Sequence, residues 1–500
     1  MMELHDYQIE GVEFLRRNKK VYFAFSMGMG KTITALASEL AVCKKNVLLI
    51  AEKNEIVNSK NFEREVETHF PDVSYVSLRD CDLEDMPYGK VVAGANPELL
   101  EKIDLKQICA YFDAVIVDEA TLAKTATSRR FKRIRDICRK MEYVVLLSGT
   151  PMMNGAAEIF APLVLLGHPM AGDGSAKARM SFERIFAGGH WVEYFKKITG
   201  SERHFYKPRL ERRWEAKGAN NVRELRMLIE DHFLFKRKED TNAFRKKERL
   251  IEYVEVNSVW QTEYDRAWDD YLGRVTLNNV MGSGQKRSIK NIMELKKLIE
   301  NGQVYQVNSR WKARQVVKDI ASGKYGDRRI IVFSMFIETD QMIQEELENM
   351  GIGYRTFDDV QAWKEGDEQV LVGRIKSHGK GGNVPEASVT LFVDMDFVPA
   401  NNLQAEGRMD RPQQTRDMIV RYYMAKDETM IDHHVRKIVA TKTRKVDEFM
   451  RHWNPGEKEE VSQMLFGLRQ RYNRDFELLD GNGLQGVKLR GNIKESESSR

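Results

Sequence analysis

The sequence is poor in cysteine and has no long apolar run. Its four cysteines are scattered over 500 residues without C-x-x-C spacing, which argues against a structural zinc site and a disulfide framework. No apolar run approaches the roughly 20 residues that span a bilayer. The first residues, MMELHDYQIEG, are acidic and polar where a signal peptide is basic and then apolar. These absences predict a protein with no membrane partner and no structural zinc, in a reducing cytoplasm.

Positive charge is concentrated in one block of the chain. The formal net charge is +5, whereas residues 176–250 alone contain 20 Lys and Arg against 11 Asp and Glu. Aromatic residues are interleaved with these charges: Trp191, Tyr194, Phe195, Phe205, Tyr206 and Trp214. Such a mixture suits phosphate neutralisation and base stacking, so it predicts a nucleic-acid contact. The alternative is a solvated charged face over a small core.

Short apolar runs alternate with amphipathic stretches in two parts of the chain. The runs predicted to be buried strands are 21–26, 46–51, 90–95, 113–119, 143–149, 329–335, 369–375 and 389–395. This alternation predicts an α/β fold with two parallel-sheet domains and a basic, mostly helical insertion between them. The expected boundaries are 1–168, 169–245, 246–450 and a C-terminal extension, 451–500, whose last residues are too polar to pack.

The stretch SMGMGKTIT ends like a phosphate-binding loop. The general pattern G-x-x-x-x-G-K-[ST] would begin with a glycine where this chain has Phe25. The chemistry needs backbone N–H groups at a helix N-terminus, a lysine for the terminal phosphates and a hydroxyl for magnesium. Gly28, Gly30, Lys31 and Thr32 meet those needs. The loop predicts a nucleotide site, with a glycine-rich turn beside a surface lysine as the alternative.

A pair of carboxylates follows the predicted strand VIVDEAT. Asp118 and Glu119 stand where magnesium needs a ligand and where hydrolysis needs a base for the attacking water. Acidic pairs after strands are also common as helix caps. The phosphate loop in the same domain favours the catalytic interpretation.

Six segments, in order and spacing, resemble the successive motifs of superfamily 2 helicases of the Snf2-like branch. They are LHDYQIEGVEFL, AFSMGMGKTIT, VIVDEATLAK, LLSGTPMMN, IIVFSMF and LQAEGRMDRPQQ. The branch typically shows ADEMGLGKT as its phosphate loop, so a non-glycine at Phe25 is tolerated. The resemblance covers about residues 3 to 450. It implies two RecA-like motor domains, ATP and Mg²⁺ as cofactors, and DNA as the partner.

The resemblance implies a role for each matched site residue. Gln8 would read adenine, and Arg408 and Arg411 would act as arginine fingers from the second domain. The implied catalytic residues are Lys31, Asp118, Glu119, Arg408 and Arg411. The implied nucleotide-binding residues are Gln8, Gly28, Met29, Gly30, Lys31, Thr32 and Gly381, and the implied metal ligands are Thr32 and Asp118.

Other matched segments imply a track for nucleic acid. Their candidate contacts are Lys53, Asn54, Asn96, Ser148, Thr150, Ser334, Lys376, Ser377 and His378. The chain departs from the family at Glu52, where proline is usual, and at Arg374 and Ile375, where a Ser-Thr pair is usual. DEAT also lacks the usual histidine at its fourth position.

The basic block is similar to the segment that joins the motor domains of Snf2-like annealing helicases. The positions that carry this similarity are Tyr206, Trp214, Gly218, Glu224, Leu225, Lys236, Arg237 and Lys238. We expect Lys236, Arg237 and Lys238 to contact DNA. Trp191 and Trp214 are predicted either to separate strands as wedges or to anchor the small domain.

The sequence therefore predicts an ATP-dependent DNA helicase or translocase that remodels branched or forked DNA in replication, recombination or repair. One alternative is a double-strand translocase that displaces proteins or serves a restriction system without separating strands. Another, of a different class, is a non-catalytic DNA-binding scaffold. The compact chain resembles a phage or prokaryotic enzyme, and we expect a cytoplasmic monomer.

Overall fold

The apolar runs of the sequence form the strands of two sheets. The computed structural model describes residues 4–53, 56, 61–119, 128–152, 155–195, 210–278, 303–379, 383–451, 453 and 455–480. Its strands are β1 Lys20–Phe25, β2 Asn46–Ile50, β3 Val73–Ser77, β4 Lys90–Ala95, β5 Phe112–Val117, β6 Tyr143–Ser148, β7 His190–Phe195, β8 Leu210–Glu215, β9 Phe233–Lys236, β10 Lys247–Val254, β11 Ile330–Ser334, β12 Tyr354–Thr356, β13 Val370–Arg374, β14 Val389–Phe392 and β15 Met418–Ala425.

Amphipathic stretches between the strands form the helices. These are α1 Asp6–Asn18, α2 Lys31–Leu40, α3 Asn61–His69, α4 Pro97–Leu100, α5 Leu105–Tyr111, α6 Arg129–Lys140, α7 Phe160–Leu166, α8 Ala176–Phe186, α9 Val222–Ile229, α10 Ser258–Asn278, α11 Gln303–Ala321, α12 Ile337–Asn349, α13 Val360–Glu365, α14 Ile375–His378, α15 Pro399–Glu406, α16 Ile431–Met450, α17 Pro455–Arg471 and α18 Asn473–Asp480. Among the described residues, none of these helices combines the length and apolarity needed to cross a bilayer.

Each domain is a parallel sheet with helices on both faces. The first sheet has the order β3-β4-β2-β5-β6-β1-β9 and the second the order β10-β15-β14-β11-β13-β12, with every neighbouring pair parallel. Separate apolar clusters cover the two faces of each sheet. Strands buried on both faces explain the continuous Val, Ile, Leu and Phe runs of the sequence. The predicted α/β class with two parallel sheets is confirmed.

The segment 169–245 is more closely joined to the first domain than its predicted boundary implies. β9 extends the first sheet, because Phe233 and Leu234 pair in register with Tyr22 and Phe23 of β1. The apolar faces of α8 and α9 contribute to the same core as the sheet. Within its described residues, 169–195 and 210–245, the segment contains three strands, β7, β8 and β9, beside the helices α8 and α9, so this part is not mostly helical. The charged residues within the hairpin concealed its strands, since β8, for example, has the sequence LERRWE and no apolar run.

The C-terminal helices return to the first domain. α16 packs at its start on the second domain, and its last residues, Phe449 and Met450, lie in the first-domain core together with Leu465 and Phe476. Arg226 of α9 donates to the carbonyl oxygen of Phe449 at 2.6 Å, so it satisfies one of the free carbonyls at the end of α16. α16 thus ties the two domains together, and the helices that follow it pack on the first domain.

Candidate active site

The turn between β1 and α2 has the backbone geometry of a phosphate loop. Gly28 has a φ of +84° and Gly30 a φ of +66°, conformations that residues with a Cβ rarely adopt. Gly30 is the N-cap of α2, which begins at Lys31, so the first amide N–H groups of the helix are directed at the turn. Because such groups attract anions, the turn suits a phosphate.

Phe25 supports this loop from the core. It is the fully buried last residue of β1, stacks on Phe23 with ring centroids 5.2 Å apart, and meets Tyr7 edge-on at 6.0 Å. The Tyr7 hydroxyl in turn donates to the carbonyl oxygen of Met29 at 3.0 Å. The departure from the general loop pattern therefore provides apolar packing beneath the loop.

Gln8 lies beside the phosphate loop. Its Oε1 accepts the backbone N–H of His5 at 3.0 Å, which fixes the side chain at the start of α1. A Cβ placed on Gly30 would lie 2.8 Å from Gln8 Nε2. The structure thus brings the predicted adenine-reading amide to the edge of the loop.

Lys31 lies close enough to the carboxylates of Asp118 and Glu119 for their charges to interact. Burial lowers the pKa of Lys31, although Glu119 and Asp118 oppose that shift. Asp118 follows β5 and donates its backbone N–H to Ile50 at 2.8 Å. A Cβ on Gly149, after β6, would lie 3.1 Å from Lys31 Nζ. Lys31 Nζ also donates to the carbonyl oxygen of Phe25, the last residue of β1, at 3.4 Å, so the ends of β1, β5 and β6 converge on the lysine.

Glu119 is held in an unusual backbone conformation. Its φ of +45° lies in the left-handed region, which non-glycine residues seldom occupy. Strain of this kind is typically retained where the surrounding structure fixes a functional side chain. This conformation suits the predicted role of Glu119 as the catalytic base.

Arg411 reaches the phosphate loop from the second domain. Its Cδ lies 3.4 Å from the Cβ position of Gly28. Burial lowers the pKa of Arg411 against the opposing charges of Asp410 and Glu65. Its Nε is buried and finds no hydrogen-bond partner among the described residues. Arg411 also lowers the pKa of Lys31, the residue that begins the helix after the loop, so two desolvated cations adjoin the phosphate loop.

Arg408 points elsewhere. Its Nε donates to the carbonyl oxygen of Gly379 at 2.9 Å, and its Nη2 donates to the same oxygen. The bond holds the end of the 376–379 segment within the second domain. The structure therefore brings only one of the two predicted arginine fingers to the loop.

A buried ion network supports the arginine segment, and no sequence pattern predicted it. Lys238 Nζ lies 2.8 Å from Asp410 Oδ1, and Lys247 Nζ lies 2.8 Å from Asp410 Oδ2 and 3.1 Å from Glu406. Arg249 binds Glu406 through both Nε and Nη2, and the Tyr422 hydroxyl donates to Glu406 at 2.9 Å. Asp410 stands between the two motif arginines, but its partners lie more than 160 residues away in sequence.

A cleft of about 510 Å³ separates the two domains at this point. Ser26, Met27 and Thr150 line its first-domain wall, whereas Glu406 and Asp410 line the other. Neither domain alone encloses it. A movement of one domain relative to the other would therefore widen or narrow the cleft.

The residues present fit ATP and Mg²⁺. Lys31 and the unpartnered Arg411 Nε provide buried positive charge for phosphate oxygens. The hydroxyl of Thr32, in the first turn of α2, and the carboxylate of Asp118 are the hard oxygen ligands that Mg²⁺ prefers. These donors therefore fit a metal-bound nucleotide.

The predicted nucleic-acid residues lie mainly where parallel strands end, along one edge of each sheet. Lys53, Lys376 and Ser377 are exposed. Other side chains are engaged: Asn96 donates to Glu98 at 2.5 Å, Ser148 accepts from Thr150 N–H at 3.1 Å, Ser334 donates to Asp340 at 2.6 Å and His378 accepts from Arg374 N–H at 3.0 Å. Asn54 and Gly381 lie outside the described residues.

The three predicted basic contacts of the joining segment all have acidic partners. Lys236 pairs with Glu10 at 2.6 Å, and Arg237 pairs with Asp240 at 2.8 Å. Lys238 is buried in the cleft, and its burial lowers the pKa of its ammonium to about 7. Lys238 thus faces the second domain instead of an open DNA surface.

The two tryptophans of the hairpin β7–β8 have different surroundings. Trp214 Nε1 donates to the buried Glu183 at 2.6 Å, and its ring covers Gly189 so closely that a Cβ there would lie 2.3 Å from Cζ2. Trp191 is 55% exposed and rests edge-on against Trp214 with centroids 5.6 Å apart. Trp214 is an anchor of the hairpin, whereas Trp191 is presented to solvent.

One group of possible metal ligands lies away from the cleft. Ligand atoms of His168, Asp231 and His232 lie within 4.8 Å of one another. His168 Nδ1 accepts the backbone N–H of Met170 at 3.1 Å, so the neutral ring carries its proton on Nε2, which faces Asp231 at 3.4 Å. That proton makes the contact a hydrogen bond, so His168 does not present a free lone pair to a metal.

Comparison with known proteins found several relatives of low identity. A "SWI/SNF-related matrix-associated actin-dependent regulator of chromatin subfamily A-like protein 1 homolog" from Caenorhabditis elegans is 24% identical over 445 residues, which is 85% of this chain and 59% of the relative. "DNA annealing helicase and endonuclease ZRANB3" from Mus musculus is 23% identical over 85% of this chain and 38% of the relative. "Chromodomain-helicase-DNA-binding protein 3 homolog" from Caenorhabditis elegans is 23% identical over 85% of this chain and 25% of the relative. The chain thus spans between a quarter and three-fifths of the length of these relatives.

A solved structure, "Sulfolobus solfataricus SWI2/SNF2 ATPase core in complex with dsDNA", aligns with 91% of this chain and 98% of its own, at 15% identity and a TM-score of 0.38. The model of the family described as "SNF2-related domain" matches residues 7–304. That range includes the phosphate loop and the strand-end carboxylates and ends before Arg408 and Arg411. Since the match covers more than half of the 500 residues, the chain belongs to the SNF2-related domain family.

Proposed function

We propose that this chain hydrolyses ATP in the cleft between its domains and uses the cycle to move on DNA. Its proposed substrate is branched or forked DNA, which it unwinds or migrates in replication, recombination or repair. The observation that carries the proposal is that both domains bring a buried cation to the phosphate loop. Lys31 begins the helix that follows the loop, and Arg411 of the second domain places its Cδ 3.4 Å from the Cβ position of Gly28.

The proposed roles follow from position. The N–H groups at the start of α2 and the Lys31 ammonium bind the phosphates, and Gln8 contacts the base. Glu119 accepts a proton from the attacking water. Arg411 neutralises charge that develops on the transferred phosphoryl group, while Arg408 holds the 376–379 segment through Gly379.

Thr32 and Asp118 would hold Mg²⁺, which supplies positive charge to the phosphate oxygens when bound. Because the half-site with Lys31 and the half-site with Arg411 belong to different domains, only the closed cleft has both. Closure with ATP and opening after hydrolysis would turn nucleotide state into domain movement.

The exposed residues at the strand ends, Lys53, Lys376 and Ser377, are the proposed phosphate contacts of the DNA track. The side chains of Asn96, Ser148, Ser334 and His378, which are now engaged within the protein, would contribute as the loops rearrange. The buried Thr150 hydroxyl, which finds no hydrogen-bond partner among the described residues, would contribute in the same way. Lys236 and Arg237 would exchange their carboxylate partners for DNA phosphates.

The preference for branched DNA rests on two supports. One is Trp191, an exposed aromatic ring that is held on a hairpin and suits stacking on an unpaired base at a fork. The other is similarity to a relative whose name includes "DNA annealing helicase". Neither observation indicates the direction in which the protein moves along DNA.

The test is ATP hydrolysis measured in parallel with single-stranded, duplex, forked and four-way-junction DNA, with strand release followed on gels. We expect the strongest stimulation, with release, by forks and junctions. Equal stimulation by plain duplex without release would favour the double-strand translocase. Binding of DNA with no ATP hydrolysis would favour the scaffold and contradict the proposal. Cytoplasmic location, the monomeric state and a phage or prokaryotic origin stay predictions.

A further inference from the structure

Lys238 occupies the point where three parts of the molecule meet. It follows β9 by two residues, and the carbonyl oxygen of Lys236 accepts the backbone N–H of Ser26 at 2.8 Å, which fixes this segment beside the start of the phosphate loop. The Lys238 side chain is only 11% exposed and lies with its ammonium 4.8 Å from the centre of the Phe244 ring. A DNA-contacting lysine would instead keep its charge in water.

The ammonium of Lys238 binds the residue that precedes the arginine finger. Lys238 Nζ donates to the carbonyl oxygen of Asp410 at 2.7 Å and also lies 2.8 Å from the Asp410 carboxylate. That carbonyl belongs to the peptide group that joins Asp410 to Arg411. Because a peptide group is planar, a bond to its oxygen also restrains the position of Arg411 N and Cα.

The phosphate loop meets this contact directly. A Cβ on Gly28 would lie 2.5 Å from the Asp410 carbonyl oxygen, 3.0 Å from Lys238 Nζ and 3.4 Å from Arg411 Cδ. Only a glycine with its φ of +84° allows the three groups to approach this closely. Lys238 therefore sets the distance between the loop and the arginine segment.

We infer that Lys238 is a positioning residue that acts through Arg411. By binding the Asp410 carbonyl, it holds the guanidinium-bearing residue of the second domain against the phosphate loop of the first. This inference rests on the proposed ATPase function. It also assigns Lys238 to the nucleotide cleft and removes it from the predicted DNA contacts.

The test uses full-chain variants: Lys238→Met, Lys238→Arg, Arg411→Ala and the double variant Lys238→Met/Arg411→Ala. The matched control is Lys458→Met, because Lys458 forms a 2.9 Å pair with Glu230 on the surface. Each protein is assayed for single-turnover ATP hydrolysis with saturating forked DNA, for affinity for a fluorescent ADP analogue, and for melting temperature.

We expect Lys238→Met to slow hydrolysis roughly tenfold or more and to change nucleotide affinity by less than about threefold, because misplacement of a catalytic group affects the chemical step. Lys238→Arg should recover part of the rate. The double variant should be no slower than Arg411→Ala, since the two residues act as one unit. Lys458→Met should hydrolyse ATP like the wild type.

If Lys238→Met hydrolyses ATP at the wild-type rate, the positioning role is wrong but the proposed ATPase function stands. The same holds if the fold-loss of the double variant equals the product of the fold-losses of the two single variants. Should Lys238→Met fail to fold, Lys238→Arg and its combination with Arg411→Ala decide by the same comparison. A wild-type protein that hydrolyses no ATP with any DNA would overturn the proposed function itself.

Discussion

The two walls of the cleft are stabilised by different forces. The first-domain wall rests on backbone geometry and apolar packing, with positive φ angles at Gly28 and Gly30 above the buried rings of Phe25 and Tyr7. The second-domain wall rests on ion pairs that bind Asp410 and Glu406. Apolar packing depends little on pH or salt, whereas buried ion pairs depend on protonation and on both partners.

This difference suits a site that opens and closes. The phosphate loop must keep one shape in every state, and a close-packed core provides that rigidity. The arginine segment must be held in one state and released in another, and contacts between charged groups of different domains can form and break as a unit. We expect the two walls to respond differently to the changes below.

The largest expected effect is on the first wall. Lys31→Ala should reduce ATP hydrolysis on the order of 10³-fold or more, because it removes the cation for the terminal phosphates. DNA binding should be largely retained, because Lys31 lies in the cleft. Phosphate release and DNA titration measure the two effects, with Lys458→Ala as the control. Loss of DNA binding and hydrolysis together would contradict this placement.

Phe25→Ala tests the packing beneath the loop. Removing a fully buried aromatic ring should lower the free energy of unfolding of the first domain by about 3 to 5 kcal/mol. Phe14→Ala, at a partly buried position of the same cluster, should cost clearly less. Urea unfolding at two salt concentrations measures both. If the loss of unfolding free energy in Phe25→Ala depends strongly on salt, the first wall is not stabilised mainly by apolar packing.

Glu406→Gln tests the ion pairs of the second wall. Burial alone would raise the pKa of Glu406, but Lys247 and Arg249 lower it to about 2. Because its folded-state pKa is below the ordinary 4.5, the carboxylate contributes stability above that pH and loses it as pH falls from 4.5 towards 2. Gln should therefore lower the free energy of unfolding at pH 7 by about 3 kcal/mol.

The same change should flatten the acid limb of the stability curve of the second domain between pH 4.5 and 2. Glu230→Gln, which removes a surface carboxylate, is the matched control. Unfolding curves at a series of pH values measure both variants. An unchanged acid limb in Glu406→Gln would show that the network is not the source of stability in this wall.

The smallest expected effect concerns a region outside both walls. Trp191→Ala should weaken binding of forked DNA by about 1 kcal/mol, since one base would lose a stacking partner. Binding of plain duplex should change less. Leu210→Ala removes an exposed apolar side chain of the same hairpin and serves as the control. If both variants weaken the binding of forked DNA equally, the Trp191 ring makes no specific stacking contact.

The sequence predicted the first wall better than the second. Short-range patterns define a phosphate loop and a strand with its terminal carboxylates, so the positions of Lys31, Asp118 and Glu119 relative to strands and helices followed from local motifs. The apolar runs of most central strands were equally visible, although β15, which lies between β10 and β14, was not among the predicted strands. β3, β10 and β12 escaped notice because they are edge strands or lie near an edge, with one face in contact with water and no continuous apolar run.

The partners in the second wall could not be predicted in this way. Lys238 and Asp410 are 172 residues apart, and Arg249 and Glu406 are 157 apart, so nothing local indicates that they meet. A lysine in a basic block looks the same in sequence whether it is solvated or buried. The return of α17 and α18 to the first domain likewise depends on long-range packing.

If one catalytic site is divided between the two domains, Arg411→Ala should abolish catalysis without abolishing nucleotide binding. ATP binding and DNA-stimulated ATP hydrolysis should be measured on the same preparation. We expect nucleotide affinity close to that of the wild type, with hydrolysis reduced on the order of 10³-fold. Hydrolysis at the wild-type rate would show that the second domain contributes no catalytic group, and would contradict the divided site.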